Sequence, residues 1–497
     1  MSGAAGHQQR DPDALEDMAR AALASGTEEQ ALEALAPAAQ ASGSSRLWQW
    51  TGLLQRAIDD HGAALRSFEQ AAALDPNDAG IAHGRARVAL EAGVPATDLF
   101  LQALRLSPGA PDILLGFAAA RLADGDGEAA VRDLERMLAA QPLWLAGHQQ
   151  LAQLRAMLGR KADYAASLDA ALAAQPAAQP LWVTLFDLAI KSDDFARLDV
   201  AVKRAGAAGV PEALTLPYAA IAASEGGETA QADALFARIP MGPSDPLGLW
   251  RVRHLLRTGR ADQALAAIDA GLASPAASGF WPYASIAWRL TNDPRADWLE
   301  GDARLVRTAD LPFALGELAA LAARLRSLHV AKAEYLDQSV RGGTQTDGPL
   351  FSRIDPEIRT LRAKVVAAVE TYVAALPAPD PAHPLLGRRR ERPIRFSGSW
   401  SVRLRASGRH VSHVHPQGWI SSAFYVALPP GLGGEGKAGW LTLGAPPDEV
   451  GVQLPPTRAI EPVAGRLALF PSWMWHGTVP FEDGERLTVA FDVRPPT

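Results

Sequence analysis

The chain has 497 residues, a formal net charge of −7, 48% hydrophobic residues and no cysteine. At roughly 150 residues per domain, the length points to about three domains, or to a repeat array with one compact domain. Without cysteine there are no disulfides, thiolate-held metals or thiol nucleophiles, so any metal must be bound by His, Asp or Glu. The mild acidity argues against a general binder of nucleic acid or anionic membrane.

Residues 1–11 read as a flexible N-terminus without the basic-then-apolar pattern of a secretory signal. No run of about 18 apolar residues follows, so no membrane span is expected and a cytoplasmic protein is the default. Residues 12–290 are rich in Ala and Leu at helical spacing. Within them Pro76, Pro108, Pro142 and Pro176 recur at intervals of 32, 34 and 34. Ala64/Ala96, Phe68/Phe100, Ala71/Ala103 and Gly52/Gly84 run in phase with the first two prolines, and Leu134 and Leu168 take the Phe position afterwards.

This spacing resembles the tetratricopeptide repeat, a 34-residue helix–turn–helix. Small residues let paired helices approach, an aromatic plugs the gap, and Pro stops the second helix. The reading is six or seven helix pairs ending near residue 290, a surface for a protein or peptide partner rather than a centre of chemistry. Residues 291–392 form a helical connector and a Pro/Arg-rich linker. Pro312–Leu328 is expected to be one helix with Asp310 and Pro312 at its start, and Arg341–Gly348 a turn-rich loop. A helix over 355–376 starts at Asp355 and Pro356. The basic run Arg388–Arg392 reads as a solvated boundary, so no nucleic-acid partner is expected.

Residues 393–497 have a different grammar, with short strands at Ser401–Leu404, Val411–His415, Ile420–Leu428, Trp440–Leu443, Arg466–Phe470 and Leu487–Val493. Many short strands of similar spacing suggest a closed barrel or jelly roll. His413 and His415, two apart on an expected strand, share one face and can reach one ion. His476 and Arg486 follow in order. Gly431–Gly436 satisfies G-x-G-x-x-G, but Pro429-Pro430 precedes it and a strand follows, so it is a turn and not a dinucleotide fingerprint.

The stretches His410-Val-Ser-His-Val-His-Pro-Gln-Gly-Trp-Ile-Ser-Ser-Ala-Phe-Tyr-Val-Ala-Leu-Pro429, Ala438–Leu443 and Gly465-Arg-Leu-Ala-Leu-Phe-Pro-Ser-Trp-Met-Trp-His476 resemble the 2-oxoglutarate/Fe(II) dioxygenases. A more distant likeness is to aspartyl/asparaginyl β-hydroxylases. The resemblance implies a multidomain protein: an all-α solenoid of tetratricopeptide type, then a double-stranded β-helix of jelly-roll or cupin kind. It also implies Fe(II) as cofactor and 2-oxoglutarate as cosubstrate. Metal ligands would fall on His413 and His476, with Arg486 gripping the distal carboxylate of the keto acid and Thr488 beside it. Tyr425 and Arg403 are further candidates for that pocket, and His410 and Trp475 for groups behind the ligands or against substrate. Most of the superfamily has a carboxylate two residues after the first His, where this sequence has His415. His415 is therefore a third imidazole ligand, a pocket residue, or a mark of lost activity. Three functions follow: a 2-oxoglutarate dioxygenase hydroxylating a protein or peptide presented by the repeats, a scaffold with a degenerate barrel, or a three-His cupin dioxygenase independent of 2-oxoglutarate.

Overall fold

Proline stops and small-residue contacts organise the helical part. In the computed structural model, which describes residues 11–240, 242, 245–430, 432 and 436–496, the helices His61–Leu74, Thr97–Leu106, Gly127–Ala140 and Ala166–Ala174 each end two residues before one of the four registered prolines. Phe68 is fully buried, and a Cβ on Gly84 would stand 2.3 Å from its ring. Gly52 approaches the other side of the same ring at 2.8 Å. The glycines let two helix backbones close on one aromatic, which is the packing that the repeat pattern encodes. Side chains of Ser44, Asp60, Asp78 and Asp194 accept backbone N–H groups at helix starts, satisfying donors that a helix leaves open.

The described helices through Leu290 make eight consecutive pairs and one further helix, Ala277–Leu290. The expectation was six or seven. The first pair, Pro12–Ser25 and Glu28–Ser42, lacks the aromatic-and-proline signature and is held by small apolar residues such as Ala19, Ala31 and Leu35. The chain divides into two compact units, residues 11–130 with 347–363, and residues 131–346 with 364–496. Most of residues 1–11, and Gly431, Gly433, Gly434 and Glu435 of the glycine-rich turn, lie outside the described residues.

Nine strands follow in the second unit: β1 (Arg307–Asp310), β2 (Val340–Gln345), β3 (Phe396–His410), β4 (Ile420–Ala427), β5 (Leu441–Leu443), β6 (Arg458–Ile460), β7 (Arg466–Pro471), β8 (His476–Thr478) and β9 (Arg486–Val493). They form a six-stranded sheet, β1-β7-β4-β9-β3-β2, and a three-stranded sheet, β6-β5-β8, with antiparallel pairing throughout. From β3 onward the chain passes back and forth between the sheets, the winding of a double-stranded β-helix.

Three local expectations are corrected. The helix expected from Pro312 begins only at Glu317, after a left-handed Gly316, with Glu317 Oε2 accepting from Ala314 N. The residues before it instead form β1, whose Asp310 pairs with Arg466 on β7. The expected loop from Arg341 is β2, an edge strand in which Gly342 sits at φ +70° and a Cβ there would stand 3.0 Å from Gly408 Cα. Val411–His415 is irregular, with one antiparallel bridge joining His413 to His476. Its main-chain groups bond elsewhere: Val411 N–H to Ser339 O and His415 N–H to Ser472 O.

Candidate functional site

The bridge between His413 and His476 is made of two N–H···O bonds of 3.0 Å and brings their rings to 4.1 Å between centroids. His415 lies 5.0 Å from the His413 ring and 5.2 Å from the His476 ring. The three imidazoles offer ligand atoms all within 4.8 Å of one another. In each ring Nδ1 faces an acceptor: Val411 O at 2.8 Å for His413, Met474 O at 2.9 Å for His476, and Asp492 Oδ2 at 2.9 Å for His415. Those acceptors call for hydrogen on Nδ1, which in a neutral ring leaves the lone pair on Nε2. Burial, reinforced by the neighbouring imidazoles, holds His413 and His476 well below the ordinary histidine pKa, so both are neutral near pH 7. Neutral imidazole is the form that binds metal.

His410 ends β3 and also lines the cavity, its pKa pushed down to about 3 by burial and by the nearby Arg486 and His415. Ser339 Oγ stands between two of the rings, 3.0 Å from His410 Nδ1 and 3.2 Å from His413 Nε2. The segment that delivers Ser339 is tied to the repeat helix Leu145–Met157: Lys332 and Ala333 N–H donate to Met157 O, and Leu336 N–H to Gln153 Oε1.

Arg486, Thr488, Ala490 and Asp492 alternate along β9 and line the cavity between the two sheets. Arg486 is 2% exposed, and its Nε and Nη1 have no hydrogen-bond partner. Its guanidinium sits 5.2 Å from the centroid of Tyr425, whose hydroxyl is also buried. Burial pulls the Arg486 pKa down and pushes that of Tyr425 up. The cavity is narrow, about 40 Å³, room for roughly one water. A wider cleft of about 450 Å³, lined by Trp281, Trp419 and Trp473, includes Pro416 and Gln417, which directly follow His415.

Two candidates lie elsewhere. Arg403 falls between the inward-facing Val402 and Leu404, and pairs with Glu485 at 2.5 Å. Trp475 donates its indole N–H to Pro282 O at 2.9 Å and packs edge-on against Tyr283, so it anchors the strands to a helix. The structure adds residues that the spacing did not single out: Asp492, Ser339, Ser421 and Trp400, whose ring stacks 5.6 Å from His415. Asp492 could have been found by continuing the i, i+2 alternation from Arg486 and Thr488. Ser339 carries no sequence signal, because it reaches the site from a connector 71 residues before His410.

A helical-repeat array followed by a double-stranded β-helix with a polyhistidine cavity is the class that this architecture defines. Residues 398–492 match the family model described as "Putative 2OG-Fe(II) oxygenase", so the C-terminal part carries a domain of that family. Similar solved structures include a tetratricopeptide repeat protein from Parabacteroides merdae (18% identity, TM-score 0.30, 46% of this chain and 91% of that one). MamA from Desulfovibrio magneticus also matches (16%, 0.30, 35% and 99%), as does a prolyl-4-hydroxylase from Pseudomonas putida (18%, 0.26, 39% and 94%). The comparison with curated proteins finds no match. No helix among the described residues is long and apolar enough to cross a membrane.

Proposed function

We propose that the protein is a 2-oxoglutarate- and Fe(II)-dependent dioxygenase acting on a protein or peptide presented by its repeat array. The observation that carries this reading is the pairing, in one cavity, of three convergent imidazoles with a buried guanidinium whose Nε and Nη1 have no partner among the described residues. The donor set suits iron(II), which imidazole binds readily and for which three protein ligands leave positions open. His413, His415 and His476 would hold the ion through Nε2. Arg486, with Thr488 beside it, would grip the distal carboxylate of the keto acid, because a guanidinium fork binds a carboxylate bidentately. Iron with 2-oxoglutarate supplies decarboxylation of the keto acid and insertion of one oxygen atom into a substrate C–H bond.

The chain's own residues set the conditions for that chemistry. Tyr425 and the apolar faces of Phe470 and Leu441 keep water from the guanidinium and the rings. The Nδ1 acceptors fix the orientation of each ring before any ligand arrives. Since the cavity admits about one water, its walls must part for a five-carbon diacid to enter.

Anaerobic titration of the full chain with Fe(II) and 2-oxoglutarate is expected to give a weak visible charge-transfer band, absent in His476→Ala. Lack of the band together with failure to retain iron would overturn the reading. Succinate release that depends on Arg486 separates it from a three-His dioxygenase indifferent to 2-oxoglutarate, and from a scaffold with a silent barrel.

A further inference from the structure

Three imidazoles bring no negative charge to a divalent ion, yet a carboxylate is built in directly behind one of them. Asp492 lies on β9 in register with Ser421 of β4. Its side chain is 10% exposed, and its Oδ2 stands 2.9 Å from His415 Nδ1. Oδ1 accepts from Ser421 Oγ at 2.5 Å, and Ser472 Oγ lies 3.0 Å from that same hydroxyl, a short chain that fixes the carboxylate plane. Ser472 also accepts the His415 N–H through its carbonyl, so one residue steadies both members of the pair.

The contrast with the other two rings is chemical. His413 and His476 rest on peptide carbonyls, whereas His415, alone of the three, rests on a carboxylate. No Lys or Arg among the described residues forms an ion pair with Asp492. A largely buried carboxylate is expensive to desolvate, and a cation nearby offsets that cost. A metal ion held by His413, His415 and His476 would be such a cation, one imidazole away from Asp492.

We infer that Asp492 is a positioning residue that supplies, through His415, the negative charge that the three-imidazole set lacks. It fixes Nε2 of His415 toward the ion and strengthens that ring as a donor, as a carboxylate behind a metal-bound histidine does. The inference rests on the reading of His413, His415 and His476 as the metal site, and it assigns the charge balance of that site to a residue outside the ligand set.

The test is Co(II) binding to the full-length protein, followed by calorimetry and by the visible d–d bands. Asp492→Asn keeps the size of the side chain, removes its charge and replaces one of its two acceptor oxygens by an N–H donor. It is expected to weaken Co(II) binding by about 10- to 100-fold and to shift the bands. Ser421→Ala removes one donor and leaves the charge, and should change the affinity less than about threefold. Asp492→Asn with wild-type affinity and bands would reduce Asp492 to a structural contact. Loss of binding in Asp492→Asn together with wild-type binding in His415→Ala would make Asp492 itself a ligand and overturn the positioning role. Absence of Co(II) binding by the wild-type protein would instead remove the three-histidine site on which the inference stands.

Discussion

Arg486 is buried beneath the histidines with two of its guanidinium nitrogens unpartnered. Such a group costs stability, about 1–3 kcal/mol or more for a charged donor. Arg486→Met should therefore raise the melting temperature of the ligand-free protein, while 2-oxoglutarate no longer raises it further. A differential-scanning measurement with and without the diacid checks both halves, and a lower ligand-free melting temperature would show the guanidinium to be a structural prop. Much of this site is legible at the residue level, because metal and carboxylate chemistry restricts which residue types can serve. His413, His415, His476, Arg486 and Thr488 all fall in or around one cavity. Arg403 and Trp475 do not, because type alone leaves open which face of the sheet a residue takes, and each has a partner on the other side.

At the scale of elements, the repeat signature is close to a packing rule. Gly84 is there because Phe68 needs the space, so Gly84→Ala should destabilise the first unit. Overpacking costs about 1–3 kcal/mol, against a gain of about 1 kcal/mol in helix propensity. Chemical denaturation of the variant is expected to show a net loss, and an unchanged or higher midpoint would mean that Phe68 can shift. Helices are read well from sequence because proline stops and small-residue positions act locally. Strands are read less well. β1 and β2 look like a helix start and a glycine loop, since their pairing partners β7 and β3 lie more than fifty residues away. The segment 411–415 behaves in the opposite way. It alternates like a strand, but its hydrogen bonds go to Ser339, Ser472 and His476 rather than to one neighbour.

At the scale of the second unit, the β-helix is completed by chain that precedes it. β1 and β2 cover the two edges of the large sheet, edges that would otherwise present unpaired main-chain groups. Arginines bind the helices to the loops of the small sheet: Arg289 to the carbonyls of Gly444 and Pro455, Arg257 to Glu449 O, and Arg458 to the carbonyls of Glu300, Gly301, Asp302 and Ala303. A fragment of residues 393–497 should accordingly be insoluble or aggregate on refolding, and one of residues 295–497 should stay in solution longer. Size-exclusion chromatography of the two decides it; equal behaviour would mean that the edges need no cover.

By itself, the sequence determined the helical repeats and a strand-rich C-terminal part, and it singled out the histidines and the arginine as candidates. These depend on periodicity, on residue type and on the chemistry that each residue type allows. Only the tertiary structure decided that Asp492 stands behind His415, that Ser339 reaches between His410 and His413, and that the connector supplies both edges of the sheet. Those placements come from pairing between distant segments, where the hydrogen-bond partner is chosen by geometry across the fold and leaves no mark in local spacing.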